Sequence, residues 1–297
     1  MNQGASIPGS GRRPPSLVDG EFVLTAQDFA KISAMLYADA GISLPESKAT
    51  LVYSRLAKRL RALGLESFRA YCALVAGDDG LDERQNMLAA LTTNVTRFFR
   101  EPHHFEHLKT KLLPPLLEEA QRGGKVRIWS AACSNGQEPY SIALTILSLL
   151  PDAGRYDIKI LATDIDPNMV ADGREAVYDR QSAESIPLDL RRRWCAPVAT
   201  ERGEGVGMAE EVRALVAFRE LNLIGNWPMK GRFQAIFCRN VVIYFDEPTQ
   251  SRLWSRFLPL LSPGGRLYIG HSERLCGEAA QRFDTDGITT YRLREAA

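Results

Sequence analysis

The sequence lacks the features that mark membrane-spanning, secreted and zinc-binding proteins. No uninterrupted apolar run approaches the roughly 18 residues of a membrane span. Residues 1–20 are rich in Gly, Pro, Ser and Arg without an apolar core, so they predict a disordered tail and not a signal peptide. The five cysteines are scattered and form no C-x-x-C pair, as is typical of reduced thiols. We therefore expect a cytoplasmic protein without direct membrane insertion.

Neither sign of charge predominates, and histidine is scarce. The 297 residues contain 37 Lys and Arg against 36 Asp and Glu, a balance that identifies no partner. Three of the four histidines, His103, His104 and His107, fall in one predicted helix. His103 and His107 are four residues apart and could share a metal ion, but no Cys or paired carboxylate completes a ligand set. We interpret these histidines as surface or packing residues and predict no metal site.

Helical periodicity fills residues 21–92 and predicts an all-helical N-terminal domain. Its second helix, about Ser47 to Leu63, follows a short connection at residues 41–45. One flank of that helix carries three basic residues, namely Lys48, Arg55 and Arg59. Such a flank is either a solvated helix face or a docking surface for an acidic partner, whether nucleic acid or an acidic protein helix. The sequence pattern leaves both interpretations open.

Short apolar strands alternate with helices in the rest of the chain. This alternation predicts an α/β domain with a doubly wound, Rossmann-like sheet over residues 125–297. Residues 93–124 are predicted to form a linker and a helix between the two domains. Residues 178–211 fit the alternation poorly because they are polar, basic and Gly-rich, and we interpret them as an inserted subdomain of short strands.

The stretch from Val126 to Leu150 predicts the strand, tight loop and helix that open a nucleotide-type binding fold. Small residues from Cys133 to Gly136 allow backbone N–H groups to approach a ligand. Glu138 places a carboxylate in the first helical turn, where it would repel a phosphate but accept a positively charged or hydroxyl-bearing group. A dinucleotide or triphosphate is therefore disfavoured. We interpret Cys133 as structural and not as a nucleophile, because no His lies near it in sequence.

Further polar residues follow the predicted strands, at the edge where such sheets bind ligands. Asp164 ends the second strand, where an acid can accept hydrogen bonds from ribose hydroxyls. Asp166, before a proline, is better placed to cap the next helix. Asn240 follows a later strand and is equally typical of a turn. Together with Glu138, these residues fit a nucleoside that carries a positive charge and no phosphate, which favours S-adenosylmethionine.

Five motifs, in their order along the chain, resemble the CheR family, the chemotaxis receptor protein-glutamate O-methyltransferases. The matching motifs are Asn94–Glu101, Trp129–Ser141, Ala162–Ile165, Leu221–Leu223 and Cys238–Phe245. The resemblance spans about Phe29 to Arg292. Two positions differ from the usual family pattern: Asn135 stands where Thr is usual, and Gln137 stands where Glu is common. Both keep a polar side chain, so we expect the pocket to be retained.

The resemblance implies an all-helical domain followed by an S-adenosylmethionine-dependent methyltransferase domain with a small β-subdomain insertion. Residues 93–124 would contribute to the cofactor pocket and close it. Arg100 and Tyr244 would lie nearest the transferred methyl group and align the reactants. The residues implied to bind the cofactor are Asn94, Thr96, Arg100, Glu138, Asp164, Asn222, Leu223, Arg239 and Asn240.

The resemblance also implies the reaction and the partners. A methyl group would pass from S-adenosylmethionine to glutamate carboxylates on the cytoplasmic helices of chemoreceptors, leaving S-adenosylhomocysteine and setting receptor adaptation. The flank of Lys48, Arg55 and Arg59 would dock on the acidic receptor bundle, and in some family members the insert holds a receptor's C-terminal tail. A glutamate carboxylate is already ionised at neutral pH. The reaction therefore needs no general base, which suits a sequence without a Ser/His or Cys/His pair.

Two other functions compete with this interpretation. The basic helix would suit a nucleic-acid methyltransferase, but amino-methylating enzymes of that kind usually carry Asp/Asn-Pro-Pro-Tyr/Phe after the fourth strand. Here Arg239-Asn240-Val241-Val242 stands at that place, so we predict no nucleic-acid partner. A non-catalytic module that senses S-adenosylmethionine is the second alternative. The complete set of pocket residues argues against it.

Overall fold

The computed structural model describes residues 15–200 and 203–295. The chain divides into two compact units. The first is formed by the chain up to Ala38 together with Leu44–Leu91, and the second by Asp39–Ser43 together with the chain from Thr92 onward. Among the described residues, no helix is both long enough and apolar enough to cross a membrane.

The first unit is mainly helical. Its helices are α1 (Ala26–Ala40), α2 (Ala49–Leu63), α3 (Phe68–Ala76) and α4 (Leu81–Leu91). A two-stranded antiparallel ribbon, β1 (Ser16–Val18) and β2 (Leu24–Thr25), precedes them. The prediction of a disordered tail is therefore wrong for Ser16–Val18, which gain backbone hydrogen bonds from β2, while residues 1–14 lie outside the described residues. Gly64 ends α2 with a φ of 66°, the left-handed conformation that glycine adopts without a steric penalty.

The second unit contains the remaining helices and strands. Its helices are α5 (Pro102–His107), α6 (Leu113–Gln121), α7 (Gln137–Leu149), α8 (Pro167–Glu175), α9 (Arg180–Ala183), α10 (Leu188–Trp194), α11 (Glu210–Arg213) and α12 (Glu247–Phe257). Its strands are β3 (Val126–Ala131), β4 (Ile158–Asp164), β5 (Val177–Asp179), β6 (Cys195–Thr200), β7 (Gly203–Met208), β8 (Val216–Glu220), β9 (Phe233–Cys238), β10 (Leu261–Ile269), β11 (Phe283–Gly287) and β12 (Thr290–Leu293).

Seven of these strands form one sheet in the order β11-β12-β10-β9-β3-β4-β8. The five strands from β10 to β8 run parallel, and β12 and β11 add antiparallel to the β10 edge. The chain enters at β3, runs outward through β4 and β8, and then returns to β9 on the other side of β3. The order therefore reverses between β3 and β9, the place where α/β sheets bind ligands. The predicted α/β fold is confirmed, although the polar strand β11 was not predicted.

The region interpreted as an insert contains a second, three-stranded sheet with the order β5-β7-β6. Both neighbours of β7 run antiparallel to it. The short helices α9 and α10 lie in the same region and were not predicted from its polar composition. They form because Ala183, Ile186 and Trp194 pack into the hydrophobic core that also contains Tyr140 of α7. The insert therefore shares the core of the second unit.

Candidate functional site

The loop after β3 has an unusual backbone conformation at the point where the strand order reverses. Ala132, Ser134 and Gly136 have φ angles of 62°, 50° and 91°. Each of the two non-glycine residues costs about 1 kcal/mol in this left-handed conformation. The backbone N–H of Ser134 donates to Oδ2 of Asp164 at 2.7 Å, which stabilises the loop against that cost. The loop is thus fixed by the residue that ends the neighbouring strand.

Asp164 is buried at the end of β4. Its Oδ2 accepts from Ser134, and its Oδ1 accepts from the backbone N–H of Asp166 at 3.0 Å. Burial raises the pKa of Asp164 to about 6, and the two backbone donors oppose that rise. Each carboxylate oxygen can accept a second hydrogen bond, so capacity for ribose hydroxyls remains. Asp166 caps α8 as predicted, because its side chain accepts from the Asn168 N–H.

Glu138, in the first turn of α7, is paired and not free. Its Oε1 accepts from the Ser130 hydroxyl at 2.7 Å, and its Oε2 lies 2.8 Å from Nη1 of Arg239. Arg239 directly follows β9, and its side chain is 2% exposed. The sequence argument that Glu138 would repel a phosphate assumed an unpaired carboxylate. That premise is wrong, because the Glu138 carboxylate is paired with the adjacent Arg239 guanidinium.

Glu101 completes this network, although sequence reasoning assigned it no role. Its Oε2 lies 3.3 Å from Nη2 of Arg239, and its Oε1 accepts from Nδ2 of Asn240 at 3.3 Å and from the His271 backbone N–H at 3.1 Å. Burial alone would raise the pKa of Glu101, but Arg239 and these donors outweigh it and hold the pKa below its usual value. Arg239 is therefore held between two carboxylates, Glu101 and Glu138.

Asn94 connects the chain after α4 to the loop after β3. Its Nδ2 donates to Oδ2 of Asp166 at 2.9 Å, and its backbone carbonyl accepts from the Ser134 hydroxyl at 3.0 Å. Thr96 follows in the same segment and is half-buried. The structure thus brings Asn94 to the loop that carries Ser134 and to the start of α8, and its contact with the cofactor stays a prediction.

Arg100 lies in the same segment and is half-buried. Its Nη1 donates to the Val95 carbonyl at 3.1 Å, and its own carbonyl accepts from the guanidinium of Arg239. The neighbouring Phe99 donates its backbone N–H to the Ser141 hydroxyl on α7 at 2.9 Å. These contacts place Arg100 beside the Arg239 network, with a side chain that folds back along its own segment.

The loop after β9 is shaped by a buried glutamate that sequence reasoning missed. Asn240 has a φ of 59°, and its backbone N–H donates to Oε2 of Glu273 at 3.0 Å. Oε1 of the same carboxylate accepts from the Val242 N–H at 3.0 Å. A short helical turn follows and ends at Tyr244, which is half-buried. The only available signal was that Glu273 comes just after a predicted strand.

The loop after β8 contains Asn222 and Leu223 and is held by one cationic residue and one aromatic residue. The guanidinium of Arg256 lies 3.8 Å from the centre of the Trp227 ring, and its Nη1 donates to the Leu223 carbonyl at 2.8 Å. Trp227 donates from Nε1 to the Asn222 carbonyl at 3.2 Å. Neither Arg256 nor Trp227 was predicted. A single Arg on an amphipathic helix and a single Trp in a loop do not indicate which residues they contact.

Two cysteines lie beside the site, one in the loop after β3 and one at the end of β9. Cys133 and Cys238 are buried free thiols. Burial raises the pKa of both thiols well above the usual value. Neither thiol is therefore ionised at neutral pH, which supports the interpretation of Cys133 as structural.

The clustered histidines have separate partners. His107 lies with Nδ1 3.0 Å from the Tyr268 hydroxyl and Nε2 3.3 Å from Asp286, so it is directed to the antiparallel edge of the sheet. His104 is fully buried, and burial lowers its pKa to about 3. Ligand atoms of Glu101, His103 and His104 lie within 4.8 Å of one another. The Arg239 guanidinium already faces that Glu101 carboxylate, so we assign no cation to the cluster.

The three basic residues predicted to dock a partner differ in their contacts within the first unit. Nη1 of Arg55 donates to the carbonyls of Ala90 and Leu91, at 3.2 Å and 3.0 Å. Arg59 donates from Nε to Oε1 of Glu83 at 2.9 Å. Lys48 is exposed. Arg55 and Arg59 therefore hold α4 against α2, and Lys48 is the fully exposed member of the three.

At the point where the strand order reverses, the sheet carries a fixed loop of small residues and a buried aspartate that can accept hydrogen bonds from a ribose. This combination is typical of nucleoside-binding α/β proteins. The model of the CheR methyltransferase all-alpha domain matches residues 27–92, and the model of the CheR methyltransferase SAM binding domain matches residues 94–292. The chain therefore belongs to the CheR methyltransferase family. It is a methyltransferase, and its cofactor is S-adenosylmethionine. The resemblance found in the sequence is confirmed.

Curated relatives cover nearly the whole chain. A probable chemotaxis protein methyltransferase of Rhizobium etli is 57% identical over 87% of this chain and 96% of its own length. Chemotaxis protein methyltransferase 2 of Pseudomonas aeruginosa is 46% identical over 93% of this chain and 97% of its own. The chemotaxis protein methyltransferase of Escherichia coli is 40% identical over 91% of this chain and 92% of its own.

Proposed function

We propose that this chain transfers the methyl group of S-adenosylmethionine to glutamate side-chain carboxylates on the cytoplasmic helices of chemoreceptors. One observation carries the proposal: the buried Asp164 holds the small-residue loop after β3 where the strand order reverses, in a chain that is 57% identical to a probable chemotaxis protein methyltransferase. Such methylation would set receptor adaptation, and we place it in the cytoplasm, where free thiols such as the five of this chain persist.

The residues at the reversal point fit the cofactor. Asp164 keeps acceptor capacity for two ribose hydroxyls, and the fixed loop around Ser134 allows backbone N–H groups to approach the ligand. We propose that the loop holding Leu223 lies against the adenine side and that the segment from Asn94 to Arg100 closes the pocket. The bound cofactor supplies an activated methyl group on a positively charged sulfur.

The protein side of the reaction requires alignment more than proton transfer. A carboxylate acceptor is ionised at neutral pH and carries no proton to remove. The buried Cys133 and Cys238 thiols stay protonated, and His104 is buried with its pKa lowered to about 3, which makes it a weak base; both facts agree with such an acceptor. We propose that Arg100 and Tyr244 align the attacking oxygen with the methyl carbon and the sulfur, the positioning effect that can supply several kcal/mol.

The partner surfaces belong to the same proposal. The acidic receptor helices would lie along the α2 flank, with exposed Lys48 as its most accessible member. Strand β6 lies at the edge of the insert's sheet, and most of its residues are exposed. An edge strand of this kind can accept an extended peptide, so we propose that a receptor's C-terminal tail adds to β6.

One experiment tests the reaction itself. The chain is incubated with methyl-labelled S-adenosylmethionine and chemoreceptor membranes, and the products are then treated with alkali. Carboxyl methyl esters release volatile label under alkali, and this is the expected result. Alkali-stable label in nucleic acid would support the nucleic-acid alternative. An absence of label on receptors, with cofactor bound, would leave a sensing module and refute the proposed reaction.

A further inference from the structure

The segment Asp39–Ser43 contains the last two residues of α1 and the start of the connection to α2, yet it belongs to the second unit. The sequence indicated only a connection at this place. In the structure Gly41 and Ile42 are buried, which is unusual for residues of a connection between two helices. The contacts of this segment lead to two loops of the candidate site.

The first contact is with Asn222. Its Nδ2 donates to the backbone carbonyl of Asp39, and its Oδ1 accepts from the Ile224 N–H at 3.0 Å. Both ends of the amide are therefore used within the protein. The resemblance implies that Asn222 binds the cofactor, and its side chain also holds the loop after β8 to the segment.

The second contact is with the turn that ends at Tyr244. The Ser43 N–H donates to the Tyr244 carbonyl at 2.8 Å. Ile42 forms an antiparallel bridge with Phe245, the next residue of that loop. The main chain of this five-residue segment thus binds both the Asn222 side chain and the Tyr244 main chain.

The centre of the segment tolerates only glycine. Gly41 has a φ of 70°, and a Cβ there would lie 2.9 Å from Cγ2 of Ile224 and 3.2 Å from Cγ2 of Thr249. Ile224 is in the loop after β8, and Thr249 is in α12 just after Tyr244. A side chain at position 41 would therefore push the segment away from the loop after β8 and from the start of α12 at once.

We infer that Asp39–Ser43 is a positioning element of the methyl-transfer site. Its main chain ties the Asn222–Leu223 loop to the Tyr244 loop and so fixes the distance between the cofactor side and the methyl side of the pocket. The inference rests on the roles proposed above for Tyr244 and Leu223, and it adds residues from before the family's catalytic domain to the site.

The test compares Gly41→Ala with Gly64→Ala. Gly64 has nearly the same φ, 66°, but a Cβ there would meet no atom within 4 Å. Both variants carry the cost of a left-handed alanine, and only Gly41→Ala displaces the segment. Turnover, the KM for S-adenosylmethionine, calorimetric affinity for S-adenosylhomocysteine and the melting temperature are measured for both.

We expect Gly64→Ala to melt earlier but to keep turnover and affinity within about twofold. Gly41→Ala should lose about tenfold or more in kcat, since small misplacements at a reacting centre carry penalties of this size. It should also bind S-adenosylhomocysteine more weakly. If Gly41→Ala matches Gly64→Ala in turnover and affinity, the positioning role is refuted.

Asn222→Asp provides a second measurement if Gly41→Ala does not fold. This change keeps the acceptor for the Ile224 N–H and replaces the donor to Asp39 with a repelling oxygen. A positioning role predicts that kcat falls together with affinity, whereas an effect on KM alone would contradict it. A wild-type chain that fails to label receptors would refute the proposed reaction, while the S-adenosylhomocysteine measurements would still test the segment.

Discussion

Arg239 and Glu138 form an ion pair, with 2.8 Å between Nη1 and Oε2, and their side chains are 2% and 12% exposed. The pair links the end of β9 to the start of α7, the two elements that flank the reversal of strand order. Since Glu101 contacts the same guanidinium, loss of either carboxylate changes the charge balance of the whole network.

The first prediction concerns the stability of this network. Glu138→Gln should lower the free energy of unfolding by about 3 kcal/mol, because a buried guanidinium then loses half of its compensation. The matched control is Asp157→Asn, which removes the charge from a partly exposed pair with Arg127. That change should cost less than about 1 kcal/mol. Urea unfolding of both variants checks the difference, and equal losses would contradict it.

The second prediction concerns alignment. Arg100→Ala should reduce methyl transfer to receptors by about a hundredfold, because the reacting atoms lose a positioning group. Arg155→Ala, an arginine that is 80% exposed before the start of β4, serves as the control and should retain activity. Circular dichroism and melting should show both variants folded. Near-normal turnover of Arg100→Ala would refute the role of this residue.

The third prediction concerns pH. Burial raises the pKa of Asp164 from its ordinary 3.8 to about 6, so its carboxylate is mostly ionised at pH 8 and protonated at pH 5. Ribose hydroxyls donate to the ionised form, so affinity for S-adenosylhomocysteine should be constant above about pH 7 and fall as the pH drops through 6. Calorimetry between pH 5 and 8 measures this, and Asp164→Asn should remove the dependence. A flat profile in the wild type would contradict ribose binding by Asp164.

The raised pKa of Asp164 makes folding stability depend on pH in the opposite direction to ligand affinity. A raised pKa means that the folded chain binds this proton more tightly than the unfolded chain. The stabilisation by Asp164 is therefore complete below about pH 3.8 and is lost as the pH rises through about 6. Bound ligand should offset that loss, so protection by S-adenosylhomocysteine in melting experiments should be larger at pH 8 than at pH 5.

The fourth prediction separates docking from folding on α2. Arg59→Ala leaves the buried Glu83 without its guanidinium partner and should destabilise the first unit by about 2 kcal/mol or more. Lys48→Glu should leave the melting temperature unchanged and weaken receptor binding, most clearly at low salt. Binding to receptor fragments at two salt concentrations checks this. Unchanged binding of Lys48→Glu would remove Lys48 from the docking surface.

Much of the site was predictable because its residues follow strands. Asp164 and Arg239 come directly at strand ends, and a parallel sheet brings such positions to one edge. The capping role of Asp166 was also predictable, since Asp before Pro is a helix-start signal. The residues that support the site were not. Glu273 and Arg256 act through distant loops, and neither periodicity nor motif spacing indicates a contact of that kind.

The error about Glu138 has the same physical origin. The sequence does not show which residue pairs with a given carboxylate. Its effect on a ligand is then judged as if the carboxylate were an isolated charge. In the fold, Arg239 lies 101 positions away in sequence and 2.8 Å away in space. Charge arguments from sequence therefore hold best for exposed residues such as Lys48, where no buried partner intervenes.

The assignment of Asp39–Ser43 to the second unit decides where this chain can be cut or exchanged. Fragments that begin at Thr92 would omit the residues that bind Asn222 and Tyr244, even though they contain every strand of the sheet. Chimeras that take the helical unit from a relative therefore need two junctions before α2, so that this pentapeptide stays with its own catalytic unit. The structural unit that carries methyl transfer in this chain is therefore discontinuous in sequence.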